Sequence, residues 1–123
     1  MAARGEGTIV LPDGREVHVL YTNRALANIE QVTERSIIAL ADGFSRGTSG
    51  VRETAAVLQA GMEAHRRDAR EGGRTVTLRD AYEVLDEVGF AEVSAVTMEA
   101  VGTVLGYGVE GEFDEEMNDD PNA

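Results

Sequence analysis

The sequence predicts a mainly helical α+β domain, with an N-terminal β-hairpin, about four amphipathic helices and a disordered acidic C-terminal tail. Three observations carry that expectation. Apolar residues alternate with polar ones on both sides of a Pro-Asp-Gly turn near the start. From Asn23 onward they recur at the i, i+3, i+4 spacing of a helix face. Beyond Gly108 apolar residues thin out, and seven acids crowd residues 110–120. The expected organisation is a flexible N-terminus at 1–7, a single domain at 8–108 and a tail at 109–123.

The hairpin comes first. Ile9, Leu11, Val17, Val19 and Tyr21 fall on one alternating face, and Thr8, Val10, Glu16, His18 and Leu20 fall on the other. Between them, Pro12 presets φ and Gly14 accepts a positive φ, which suits a tight turn. Thr22 or Asn23 then offers a side-chain oxygen to the amides of a first helix carrying Ala25, Leu26, Ile29 and Val32. Tyr21 and Leu26 would tie the second strand to this helix. The apolar set runs on through Ile37, Ile38, Leu40 and Ala41, but its phase slips at residues 33–36, so a break or bend is expected there.

Gly43, Gly47 and Gly50, with Ser45, Thr48 and Ser49, read as a loop. A strong helix follows from about Val51, with Ala55, Leu58, Met62 and His65 on its apolar stripe. Arg52, Gln59, Glu63 and Arg66 are expected to lie largely away from that stripe, and Gly72-Gly73 to end the helix. Thr77 and Asp80 have capping-box spacing before Leu78, Ala81, Tyr82, Leu85 and Val88, with Gly89 beyond the last turn. Val93, Val96, Thr97, Ala100, Val101, Val104 and Leu105 make the cleanest stripe in the chain. The tail EGEFDEEMNDDPNA holds too little apolar surface to offset the entropy of ordering it.

The 123 residues contain no cysteine, which excludes disulfides, thiolate metal sites and a cysteine nucleophile. No apolar run nears the roughly 18 residues of a membrane span, and no secretion signal opens the chain, so a soluble cytoplasmic protein is expected. All eleven basic residues are Arg, and the net charge is −12. Its distribution matters more than its sum. Residues 1–79 hold eleven Arg and ten acids, whereas residues 80–123 hold thirteen acids and no base. Such an acidic half repels a phosphate backbone and favours a basic protein surface.

Few residues point to chemistry. His18 and His65 have no ligand-type neighbour in sequence, and no metal or cofactor is expected. Arg66, Arg67, Arg70 and Arg74 form a small basic run, best explained by the helix dipole and by pairing with acids of the second half. No nucleophile elbow, phosphate loop or dinucleotide fingerprint is present, so no catalytic residue is assigned. A small domain of this kind more often binds proteins than transforms molecules.

The order of elements carries a family resemblance. The hairpin leading into YTNRALANIEQVTERSIIAL, then VRETAAVLQAGMEAH, then TLRDAYEVLDEVGFAEV, resembles the small tail assembly chaperones of long-tailed phages, above all the gene transfer agent type, often labelled tail tube proteins. The features that carry it are Ala25, Leu26, Ile29 and Glu30, the Leu58–Met62 segment, and the paired helices within residues 77–105. The resemblance spans residues 8–105. It implies a non-enzymatic role in the host cell cytoplasm: coating the helical tape measure protein, keeping its apolar stripes from aggregating and recruiting tail tube subunits. Contact is expected at Leu58, Met62, Val101 and Leu105, with self-association as a further possibility. The alternatives are a structural tail tube or connector component and a small helical nucleic-acid-binding regulator using residues 66–74.

Overall fold

The computed structural model describes residues 4–106, so the expected tail lies outside the described residues. Two antiparallel strands, β1 (Gly5–Val10) and β2 (Glu16–Tyr21), precede five helices: α1 (Asn23–Thr33), α2 (Ile37–Arg46), α3 (Val51–Asp68), α4 (Leu78–Val88) and α5 (Phe90–Leu105). The hairpin pairs Ile9 with Val17 and Thr8 with His18, and it turns through Leu11, whose carbonyl accepts from the Gly14 amide at 2.9 Å. Ile9, Leu11, Val19 and Tyr21 are buried as the alternation requires, while Val10 is exposed. Two details of the hairpin differ from expectation. Pairing starts at Gly5, so residues 5–7 belong to the strand and not to a flexible N-terminus. Leu20, assigned to the outer face, is buried because the chain enters α1 there and packs Ala25 and Ala60 around the same hollow.

The slip at residues 33–36 is a full break, so the described residues form five helices where about four were expected. Glu34 takes a left-handed φ of 60° and ends α1, and Ser36 restarts the chain as the cap of α2 by accepting from the Ala39 amide at 3.0 Å. Glu30 closes the corner, its carboxylate accepting from the Ile37 amide at 2.8 Å. Thr22 caps α1 through the Ala25 amide, and Thr77 and Asp80 form the reciprocal box that opens α4. At Gly89 the chain turns through 118° between α4 and α5. Its φ of +104° is a backbone conformation that a side chain would strain, so glycine serves both helices at once.

α3 is the hub, packing on β2, α1, α4 and α5, while α5 lies along β1. The contact with β1 is backbone to backbone. A Cβ at Gly5 would collide with the Ala100 carbonyl oxygen, so β1 accepts α5 only because it lacks a side chain there. No helix among the described residues is by itself long and apolar enough to cross a membrane.

Glu63 is the largest departure from the periodicity. It was expected off the apolar stripe, yet it is buried on α3 and holds four hydrogen bonds. Oε1 accepts from Arg66 Nε at 3.0 Å and from the Val76 amide at 2.9 Å. Oε2 accepts from Arg66 Nη2 at 2.7 Å and Arg67 Nε at 2.8 Å. Gln59 donates to the Val76 carbonyl at 2.8 Å, so both backbone groups of Val76 are held from α3. Together these bonds latch the α3–α4 connection. They also explain why α3 ends at Asp68, ahead of Gly72-Gly73: the connection folds back onto the helix, with Arg70 at a φ of 58°.

The Arg66 guanidinium, with help from the Val76 amide and Arg67, holds the Glu63 carboxyl down at about 2. Because the folded form binds its proton more weakly than the unfolded chain, the latch contributes fully above the ordinary carboxylate range near 4.5 and is lost as pH falls toward 2. Glu63→Gln should lower stability at pH 7 by about 2 kcal/mol, a figure discounted for the exposure of Arg67. The variant should also flatten the acid limb, and urea titrations at pH 7 and pH 3 read both effects. Equal losses at the two pH values would remove the latch from the account.

Candidate functional site

Helix α5 is apolar on two sides. Val93, Thr97, Ala100 and Val101 face the core, whereas Ala91, Ala95, Met98 and Leu105 line an open groove against Ala41 and Phe44 of α2. Phe90, the first residue of α5, joins that lining and is 39% exposed. The groove encloses about 650 Å³. Its large walls are Phe44, Phe90, Met98 and Leu105, and the alanines between them leave room for a partner's backbone to approach. Phe44, Met98 and Leu105 also pack against the core from its edge, so the walls are anchored.

One acid, Glu99, lines the groove, and Glu92 is exposed in the first turn of α5 beside the lining residues Phe90 and Ala91. On α2, outside the lining, Arg46 is occupied by Asp42 at 2.9 Å. An apolar trough with Glu99 in its wall fits the apolar stripe of an amphipathic helix that carries a basic flank.

The four residues expected to contact a partner divide sharply. Leu58 and Val101 are fully buried, and no surface is left on them for a partner. Their helical spacing signalled the core of this domain and not an interface. Met62 is half-buried against the same core. Leu105 alone of the four lines the groove. Phe44, Phe90 and Met98 were not singled out from the sequence, although α5's having more apolar residues than one face can hold was a signal that a second face was in use.

The basic run is largely engaged. Arg66 and Arg67 bind Glu63, and Arg74 forks onto Asp80 at 2.8 and 2.9 Å, so one of its pairings with the acidic half is present. Arg74, with the Thr77 amide, holds the Asp80 carboxyl well below the usual carboxylate range. The fold brings His18 and His65 together, with ring centroids 5.0 Å apart and tilted by 31°, a pairing invisible at a separation of 47 residues. Thr8 Oγ1 lies 3.2 Å from His18 Nδ1 and Glu16 lies 3.5 Å from its Nε2. Among the described residues no group of three or more His, Asp or Glu side chains is placed to hold a metal ion.

Fold and groove together define a small, mainly helical α+β domain with a hydrophobic trough that carries Glu99 in its wall. The chain matches no protein-family model, no curated protein and no solved structure.

Proposed function

We propose that this protein is a non-enzymatic tail assembly chaperone of a phage or phage-like particle. In this reading it shields the helical tape measure protein in the host cytoplasm until tail tube subunits take its place. The observation that carries it is the α2/α5 groove, a ready seat for an amphipathic helix on a domain whose other apolar side chains are mostly spent on its own core. The order of hairpin, first helix, long central helix and Thr-capped pair is the one on which the family resemblance rests. Glu99 in the groove wall and the net charge of −12 draw a basic flank toward the groove, so binding should weaken as salt rises.

The test is co-expression with a long, helical tape measure protein, followed by complex mass from size exclusion with light scattering. A soluble complex holding several copies of this chain per partner is expected. Phe90→Asp should weaken that complex at least tenfold while leaving the fold intact, because Phe90 is exposed and an acid in the first turn of α5 suits the helix dipole. Isothermal titration and thermal melting of the variant separate the two effects. A partner that remains insoluble, with this chain eluting alone, would shift the assignment to a structural tail component.

A further inference from the structure

The α2/α5 groove runs along the whole of α5, from Phe90 to Leu105, and Leu105 is one position from the last described residue. Gly106 caps the helix there with a left-handed φ of 92°, its amide donating to the carbonyls of Gly102 and Thr103. Such a cap turns the chain across the end of a helix and does not let it run on along the axis. Residues 107–123 therefore begin at one end of the groove. They bring an apolar pair with them. Of the three phenylalanines in the chain, Phe44 and Phe90 are groove walls, and the third, Phe113, stands among the acids with Met117 four positions on. Four positions put two side chains on the same side of a backbone, whether it is helical or extended. A segment that only added charge would need neither residue.

Reach and concentration decide the occupant. Phe113 follows Gly106 by seven positions, a span of up to about 24 Å at ~3.4 Å per residue. Helix α5, with 16 residues, is about 24 Å long, so Phe113 can meet any wall of the groove. A tether this short holds it there at an effective concentration on the order of millimolar. A second copy competes poorly, because a net charge of −12 on each chain keeps the two apart. Charge also limits how tightly the segment is held. Its acids come near Glu99, which is exposed in the wall, and that repulsion is screened by salt but not removed. Two buried apolar side chains against one exposed carboxylate make a contact that forms and can be displaced.

We infer that Phe113 and Met117 seat in the α2/α5 groove of their own chain, so that the groove is covered until a stronger occupant arrives. The inference does not rest on the proposed chaperone role. A helix with a basic flank takes the apolar floor and releases seven acids beside that flank, so repulsion within the free chain becomes attraction in the complex. The two contacts respond oppositely to salt: self-covering strengthens as salt rises, and binding of the basic helix weakens.

A chain without cysteine takes a single spin label cleanly. A nitroxide on Asn118→Cys in the full chain should quench the methyl NMR signal of Met98, in the groove, at least threefold more than that of Met62, which is outside its lining. Phe113→Ser with Met117→Ser should abolish the difference, and both serines lie outside the described residues, so the fold is not at stake. Spin-labelled chain mixed with separate methyl-labelled chain should give no quenching. Fluorescence of the neutral dye Nile red should rise at least twofold in a chain ended at Gly106 and equally in the double-serine chain, and Phe90→Asp should remove the gain. The inference is overturned by equal quenching of Met98 and Met62, by quenching that survives the serine pair, or by quenching between separate chains. It is overturned equally by a dye signal that rises on truncation but not in the double-serine chain, since charge and not occupancy would then be the effect of the tail.

Discussion

Leu26→Asp will abolish the cooperative unfolding transition of the domain. Leu26 is buried in α1 at the corner where β2 hands over to the helix, among core residues that include Tyr21, Ala25 and Ile29. The replacement removes an apolar side chain of about 2 kcal/mol burial value and puts a carboxylate in its place. The carboxylate has two routes, ionising without a partner or taking up a proton, and each costs several kcal/mol in so dry a site. For a small domain with a total stability of about 5–15 kcal/mol, the sum consumes most of the margin. Far-ultraviolet circular dichroism should fall and the thermal transition should broaden or vanish. A variant melting like the parent would mean that this face of α1 is not in the core.

Gly61→Val should be nearly as damaging, and for the opposite reason. At Gly61 a Cβ would stand 2.5 Å from Cζ and the hydroxyl oxygen of Tyr21 and 2.9 Å from Cβ of Val19. Glycine inside an exposed helix is normally worth replacing, since alanine gains roughly 1 kcal/mol in helix propensity. Here the missing side chain is what lets α3 lie on β2. Tyr21 cannot yield readily, because it is fully buried and its hydroxyl donates to the Val57 carbonyl at 2.7 Å. Valine should therefore cost about 3 kcal/mol or more, while Gly61→Ala should lose less and should be partly rescued by Tyr21→Phe, which removes one of the two closest atoms. Urea unfolding of the three variants reads the order. A neutral or stabilising alanine would show that the two elements pack further apart.

Local patterns carried most of the fold into view. Alternation about Pro12-Asp13-Gly14, the Thr77–Asp80 box and the glycine between α4 and α5 each depend on residues within a few positions of one another, and each is found where the spacing placed it. What the pattern missed depends on partners far away in the chain. Glu63 has the wrong polarity for a buried position, and its burial makes sense only once Val76 and two arginines have come round to bind it. Leu58 and Val101 look alike as interface or as core, because periodicity reports that a face is apolar and not what covers it. The groove was legible only in part. Leu105 belonged to an identified stripe, but Phe44 and Phe90 become neighbours through the meeting of α2 with α5, which no local spacing encodes.

The backbone contact between Gly5 and Ala100 bears on how the chain comes to be folded at all. The strand β1 is synthesised before all five described helices, yet its cover is α5, so nothing translated in between can complete it. Until α5 emerges, β1 can pair only with β2, and a two-stranded hairpin alone is marginal in water. Closure therefore joins the two ends of the domain late, across a separation of 95 positions, and makes a slow, long-range step out of an otherwise local helical assembly. A nascent chain stopped within α5 would expose the inner face of the hairpin, which gives the cell's folding helpers a defined feature to hold while synthesis finishes.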